Sequence, residues 1–393
     1  MYKAKKIRLI PTKEQDVLFW KSAGTARWSY NFYLGKREEA YEEWKANGKV
    51  GKFKFSKYDV TKYINNSLKP DTHKWLGEVS NKVMKQAVFD ADEAYSRFLK
   101  GKADKPKFKA KHRVKPSFYV NYESLKRTPN GFRGERLGEV KTAQPLPKLK
   151  KGEKYVNPRI THDGKNWFLS VAIQTDVKEQ KLSDVSLGID LGVKDLAICS
   201  DGKVYKNINK TKKVKRLEKK LKREQRKRSR KFNNNKVYPN KPKSKKYKRP
   251  LKKCKNYQKQ CKVVKNLCRK LTNIRDNHIH QATSEIVKTK LSRVVMENLN
   301  VRGMMKNKHL SKAISQQKFY EFRRQMQYKC EYNGIELVLV GRFYPSSKTC
   351  SCCGNIKKNL KLSDRTYKCE KCGLIIDRDY NASLNLANYK LST

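Results

Sequence analysis

Two runs, CSCCG at 350–354 and CEKCG at 369–373, constrain the fold of this 393-residue chain more than any other feature. Each is a C-x2-C pair followed by glycine when Cys350 is matched with Cys353 and Cys369 with Cys372. A tight turn of this kind aims two thiolates at one ion while backbone N–H groups relieve the charge on sulfur. Two such turns complete a tetrahedral four-thiolate site, the geometry that structural zinc takes. Fifteen residues separate the pairs, within the zinc-ribbon range. Cys352 is left over, because only the 350/353 choice is followed by glycine. The competing reading, four reduced structural cysteines, leaves the repeated spacing unexplained. A closed four-cysteine site is structural, so zinc alone assigns no function. Cys254, Cys261 and Cys268 lie seven apart on one helix face, too far apart to share an ion, and are expected to be buried small hydrophobes. Cys199 and Cys330 read as core residues.

Charge narrows the partner. The sequence holds 95 Lys and Arg against 36 Asp and Glu, a formal charge of +59. Such an excess repels itself unless a polyanion neutralises it, and nucleic acid is the polyanion that basic proteins grip through phosphate contacts. An acidic membrane is the weaker alternative. No run of about 18 apolar residues spans a bilayer, and the opening MYKAKKIRLIPTKEQ lacks the apolar centre of a secretory signal. The expectation is a soluble, cytoplasmic protein with no membrane partner. With 37% hydrophobic residues, 21 Tyr and 14 Phe, the chain has enough apolar material to fold, which excludes a disordered basic tail.

The pattern along the chain gives an α+β multidomain fold. A strand in KAKKIRLIP ends at Pro11, and Thr12 to Gln15 has capping-box spacing. Residues 12–114 read as mainly helical, with a break near Gly24 and a second helix ending before Gly101. Residues 1–11 with 115–180 read as short strands, including a DGKNW hairpin, and are expected to close into a small β-barrel. Within KPKFKAKHRVKPSFYVNY, basic and aromatic residues alternate, as in sites that bind phosphate and stack on bases. Trp28, Tyr30, Phe32 and Tyr33 admit the same role, with helix core as the favoured alternative. Residues 185–349 open with three short strands and hold a basic helical hairpin at 207–290. Between 210 and 270 there are 29 Lys or Arg and two acids. The hairpin's long loop is placed at 233–250. A strand in SRVVMENL, a helix near SQQKFYEFRRQMQYKC and a strand in IELVLVGRF follow. The zinc finger occupies 350–376, and 377–393 forms a last helical segment.

In so basic a chain, an acid inside an apolar strand stands out. Asp190 lies in SLGIDLGVK, Glu297 ends RVVME, and Asp377 and Asp379 open the final helix. A carboxylate beside a core needs a partner, and converging carboxylates suit Mg²⁺, a hard ion with oxygen ligands. Each acid alone is weak evidence, since strand-end acids are usually solvated. Their order is stronger. A meander with Asp in its first strand, a strand ending in Glu, and a terminal helix opened by Asp fit the ribonuclease H architecture, where the first and fourth strands are neighbours.

The motifs GIDLGVKDLAICSDG, VVMENLNVRGMMKN and GRFYPSSKTCSCCG…YKCEKCG…DRDYNASLNL resemble the TnpB family, transposon-encoded RNA-guided DNA endonucleases related to type V CRISPR effectors. The resemblance covers nearly the whole chain. It implies a wedge barrel at 1–11 plus 115–180, a recognition insertion at 12–114, and a RuvC-like nuclease with an inserted zinc ribbon. It implies Asp190, Glu297 and Asp379 as catalytic ligands of two Mg²⁺ ions. Asp379 is preferred to Asp377 because the family pattern D-x-N-A falls on Asp379, Asn381 and Ala382. Arg365 matches a family arginine at the scissile phosphate, with a solvated zinc-finger arginine as the alternative. The partners implied are a guide RNA and target double-stranded DNA, with a monomer per RNA. The departures are Asn298 after Glu297, where many members carry Asp, and the long basic loop. A nuclease-inactive guided regulator and a compact type V CRISPR effector are the alternative functions.

Overall fold

The computed structural model describes residues 1–177, 180–237, 247–361 and 364–389. It forms two units, Met1–Thr175 and Asp176–Thr393. No described helix is long and apolar enough to cross a membrane.

In the first unit, β1 (Tyr2–Ile10) leads into α1 (Lys13–Ala46), α2 (Lys57–Tyr63) and α3 (Asn81–Leu99). Six short strands follow: β2 (Ser117–Tyr119), β3 (Lys126–Thr128), β4 (Gly131–Gly134), β5 (Gly138–Thr142), β6 (Val156–His162) and β7 (Trp167–Gln174). The helices thus fall between the first and second strands, as the sequence pattern indicates. The capping box forms as read: the Thr12 side chain accepts from the Gln15 N–H, and the Gln15 side chain accepts from the Thr12 N–H at 3.1 Å. The expected break at Gly24 does not occur. A mid-helix glycine costs only about 1 kcal/mol relative to alanine, and the buried flank of Ser22, Ala23, Thr25 and Ala26 keeps α1 continuous through it. Tyr30 and Tyr33 are buried in the helical core with Leu34, Val60 and Val88, and Trp28 and Phe32 pack against that core.

The expected barrel is not closed. The seven strands run in the order β2-β6-β7-β1-β5-β4-β3, with β2 and β3 as edges among the described residues. β1 explains the shape. Its residues Tyr2–Arg8 pair with β7, and only Leu9 and Ile10 reach β5. The strand passes from one half of the sheet to the other, and three-residue edges are too short to complete a ring. The DGKNW hairpin is present, with His162 opposite Trp167.

The second unit is built on β8 (Ser183–Leu191), β9 (Asp195–Cys199), β10 (Val204–Lys206), β11 (Leu291–Glu297) and β12 (Glu336–Val340), in the order β10-β9-β8-β11-β12. β8 pairs antiparallel with β9 and parallel with β11, which pairs parallel with β12. The first and fourth strands are therefore neighbours, as the ribonuclease H pattern requires. Between β10 and β11 lie α4 (Lys212–Asn234) and α5 (Lys255–Lys288). The centre of the basic loop expected at 233–250, residues 238–246, lies outside the described residues.

α5 has two roles. Its second half buries Ile279, Ala282, Ile286 and Val287 in the sheet core with Val294, Met296 and Phe322. Its first half pairs with α4 through a partly polar seam, where the Gln260 amide donates to the buried Glu224 carboxylate at 2.7 Å. The cysteine seam fails here. Cys254 and Cys261 are half-buried and Cys268 is exposed, whereas Val264 and Leu271 are buried. Val264 and Leu271, also seven apart, hold the buried line of α5, and the cysteines three residues before each lie about 60° round the helix from it. Cys199 and Cys330 are buried as read. After β11 come α6 (Val301–Met304), α7 (Ser311–Gln317) and α8 (Phe319–Tyr332), with Lys318 in a left-handed turn that splits the single helix the sequence suggests. The ribbon strands β13 (Thr366–Lys368) and β14 (Ile375–Asp377) pair antiparallel, and β14 runs directly into α9 (Arg378–Ala387).

Gly188 is what lets α9 lie on β8. A Cβ there would stand 1.9 Å from the Ser383 carbonyl oxygen and 2.4 Å from the Ala387 nitrogen. Both are backbone atoms that cannot swing away. Gly188→Ala is expected to destabilise the second unit by about 3 kcal/mol or more, read as a lower urea midpoint. An unchanged midpoint would mean that α9 does not depend on this close approach.

Candidate active site and metal centre

Parallel pairing of β8 and β11 sets the positions of two acids. Met296 is in register with Ile189, so Glu297 and Asp190 follow at the same end of neighbouring strands. α9 crosses β8 and brings Asp379 in its first turn to that end. Asp190 feels all of this. Loss of water around it, then the charges of Glu297 and Asp379, push its pKa from 3.8 up to about 8.

The other two acids are held by specific partners. Glu297 accepts a hydrogen bond from the hydroxyl of Ser346, a residue 2% exposed. Asp379 Oδ1 accepts from Arg378 at 2.8 and 3.1 Å, and its Oδ2 lies 3.6 Å from Arg365 Nη1. Asp377 is used differently: its carboxylate caps α9, accepting from the N–H groups of Asp379 and Tyr380 at 3.0 Å each. The cap engages Asp377 while Asp379 faces Asp190. The Arg365 side chain is 54% exposed, beside the acids yet open to solvent. Asn298 accepts from Arg323 Nη1 at 2.6 Å and so holds that arginine without adding a charge.

The three carboxylates do not all come within 4.8 Å of one another; among the described residues only the four cysteines form such a group. Glu297 is held by Ser346, and Asp379 by Arg378 and Arg365. The donor set fits a hard divalent cation: all oxygen, with like charges that raise the pKa of the innermost acid.

The Sγ atoms of Cys350, Cys353, Cys369 and Cys372 all lie within 4.8 Å of one another, an arrangement that fits tetrahedral zinc. Gly354 and Gly373 have φ of +73° and +72°, the left-handed turn that each knuckle needs. The N–H of Cys350 donates to Asn355 O, and that of Cys369 to Leu374 O, at 2.8 and 2.9 Å. Backbone N–H groups of Cys372 and Lys371 lower the Cys369 thiol to about 6. Cys352 is exposed and outside the cluster.

The link between ribbon and acids runs through Ser346, Asn381 and Asn385, of which only Asn381 entered the sequence reading, as part of the D-x-N-A pattern. The buried Asn381 amide donates to Thr349 O at 2.7 Å, and its oxygen accepts from the Ser351 N–H at 3.0 Å. One turn on, Asn385 donates to Ser346 O and Thr349 O at 2.7 and 2.6 Å. α9 thereby fixes the segment whose Ser346 holds Glu297. The available signal was two asparagines four apart in a helix, a poor choice by propensity and so a sign of tertiary hydrogen bonding.

Three family models match this chain. A "Probable transposase" model, OrfB_IS605, covers residues 168–308, its companion helix-turn-helix model covers 1–46, and the Cas12f1-like TNB domain model covers 319–386. Together they span well over half the sequence and include all three acids' neighbourhoods. The chain belongs to the TnpB/OrfB_IS605 transposase family. The 1–46 match falls on one strand and one long helix in this TnpB-family chain, not on two helices. A relative from Streptomyces pristinaespiralis, named as a candidate RNA-guided DNA endonuclease, is 28% identical over 98% of this chain and 88% of its own length. InsQ of Escherichia coli K12, named likewise, is 27% identical over 97% of this chain and 90% of its own. Among solved structures, the Cas12f1–sgRNA–target DNA complex contains a chain with TM-score 0.56 and 13% identity, covering 99% of each, which establishes a shared fold.

Proposed function

We propose that this TnpB-family protein is an RNA-guided DNA endonuclease that hydrolyses phosphodiesters at Asp190, Glu297 and Asp379 with two Mg²⁺ ions, its ribbon holding one structural zinc. The observation that carries the reading is the placement of Asp190 and Glu297 at one end of neighbouring parallel strands with Asp379 in the first turn of α9, near enough that burial and both charges raise the Asp190 pKa. Three acids crowded at one strand end destabilise the free protein and become useful when cations neutralise them. When bound, such ions supply the charge that activates a water and stabilises the leaving oxygen.

The chain's own side chains do the rest. Asp190 and Glu297 hold their oxygens on adjacent parallel strands, and Asp379 closes the set from α9. Ser346 fixes the rotamer of Glu297. Arg365, half-exposed next to Asp379, is free to turn toward a phosphate in the strand being cut. The relatives' names support the guided activity, and the charge of +59 supports binding of both strands. In this reading 1–11 with 115–180 serve as a wedge and 12–114 as recognition helices. Base pairing to the RNA then supplies target specificity while the protein reads a short adjacent motif.

The test is to purify the protein with its co-transcribed RNA, sequence that RNA, and assay a plasmid library with randomised sequence beside a matching target in Mg²⁺. Guide-dependent cutting next to one recurring motif is expected. Cutting that ignores the RNA, or none at all with an RNA-loaded protein, would overturn the proposal. Ser346→Ala is a finer probe: loosening Glu297 is expected to slow cleavage about 10–100-fold, as loss of a ligand's supporting hydrogen bond does, with RNA affinity unchanged. A cleavage rate equal to that of the unaltered protein would show that Ser346 does not position Glu297.

A further inference from the structure

We propose that a cavity of the first unit, between α1, α3 and the segment entering β2, receives one unpaired nucleotide of a bound nucleic-acid strand, its phosphate on Lys109 and Arg27 and its ring in the alanine-walled space behind them. The inference rests on the reading above that the chain binds nucleic acid, and it assigns a specific site for one nucleotide.

The cavity has a volume of about 130 Å³. Its wall uses Ala23 and Ala26 of α1 and Ala87 of α3, the smallest side chains that still give an apolar surface. Lys109 is fixed at this wall by its backbone and its ring contact. Its N–H donates to Asn31 Oδ1 at 2.7 Å, and its carbonyl accepts from Asn31 Nδ2 at 3.1 Å, so the residue is clamped through its backbone. Its ammonium sits 3.3 Å above the ring centre of buried Tyr30. No carboxylate among the described residues makes an ion pair with it. Burial lowers its pKa to about 8, and the opposing charge of Asp90 is offset by that of Arg159.

The one acid lining the cavity is already engaged. Asp90 is gripped by both terminal nitrogens of Arg159 at 2.7 Å each. Arg27, Lys111 and Lys115 line the same cavity and carry positive charge that nothing in the wall offsets. An anion is therefore the missing partner. A free inorganic anion would not use the alanine-walled chamber, and a base pair is too large for it. One unstacked nucleotide meets both requirements: phosphate for the cations, a flat ring for the apolar wall and Tyr119.

The test uses the full chain with single-stranded oligonucleotides carrying 4-thiouridine (RNA) or 4-thiothymidine (DNA), photo-crosslinked and mapped by mass spectrometry, with affinity read by fluorescence anisotropy across a salt series. Crosslinks are expected in residues 109–119. Ala26→Leu, which fills the cavity and keeps every charge, should abolish them. Lys109→Gln should weaken binding about tenfold and make the salt slope shallower by about 0.7, one phosphate contact on a single strand. Crosslinking by the RNA probe alone, the DNA probe alone, or both identifies the source of the nucleotide, and each supports the site. If Ala26→Leu fails to fold by thermal melting, Ala87→Val makes the same test. Crosslinks unchanged in a folded cavity-filled variant, or confined to other segments, would overturn the site. In that event, guided cleavage at the unaltered rate by the variant would leave the nuclease reading standing. Absence of RNA-dependent cutting by the unaltered protein would remove the nuclease reading without touching the crosslink result.

Discussion

Asp190→Asn is expected to abolish cleavage of a guide-matched target, by at least about a thousandfold, while guide RNA affinity stays within about twofold. Removing a carboxylate from a site that neutralises several charges forfeits several kcal/mol of transition-state stabilisation, and each 1.36 kcal/mol is tenfold in rate. Asparagine keeps the volume and the β8 backbone pairing with Ile198, so the loss cannot be assigned to misfolding. Stability should move the other way. Asp190 has a folded pKa of about 8 against 3.8. Between those values the folded state keeps a proton that the unfolded chain releases, so the acid's contribution to stability falls as pH rises from about 4 to about 8 and is level above. The asparagine variant lacks this slope. With no added divalent ion, its melting temperature should therefore exceed that of the unaltered protein by a margin that widens up to pH 8, and Mg²⁺ should narrow the gap. Full cleavage by Asp190→Asn would remove the proposed chemistry, and parallel melting curves across pH would show that the three acids do not share a site.

The parts legible in the sequence were those set by short-range rules. Thr12 and Gln15 announced the start of α1 because capping is local. The knuckle glycines announced the cysteine cluster because only a left-handed turn puts both thiolates of a pair on one ion. The order of acids and apolar runs announced β8 beside β11, because it fits the ribonuclease H architecture, in which the first and fourth strands are neighbours. What stayed hidden depended on distant partners. Gly24 reads as a breaker until its neighbours are seen buried against other elements. Closure of the first sheet depended on how far β1 extends along β5, which two residues decide. The cysteine row failed because the seam has two edges three residues apart, and the larger apolar Val264 and Leu271 took the buried one. The roles of Ser346, Asn381 and Asn385 were invisible for the same reason, each being a polar residue whose partner lies 30 or more positions away in sequence.

Cys369→Ser is expected to remove bound zinc and with it nearly all cleavage, while the core of the second unit stays folded. The core around Val294, Met296 and Phe322 includes no ribbon residue, whereas Cys350, Cys369 and Tyr367 form a separate small cluster. That cluster is too small to order its segment alone. A zinc ion bound there would supply the difference, since structural zinc in finger peptides contributes about 10–16 kcal/mol. Its loss would free the strand leading to Asp377, and with it the cap that orients Asp379. It would also loosen the Thr349 and Ser351 groups that Asn381 holds. Glu297 would then lose the Ser346 that steadies it. A single distant thiol is thereby coupled to two of the three acids through backbone and amide hydrogen bonds. The expected readings are one zinc per chain in the unaltered protein and none in the variant, new protease sensitivity confined to about 341–377, and cleavage at least about a hundredfold slower. Cys352→Ser should change none of these, because that thiol lies outside the cluster. A zinc-free Cys369→Ser protein that cuts at the original rate would separate the ribbon from the acids and make it a nucleic-acid contact alone.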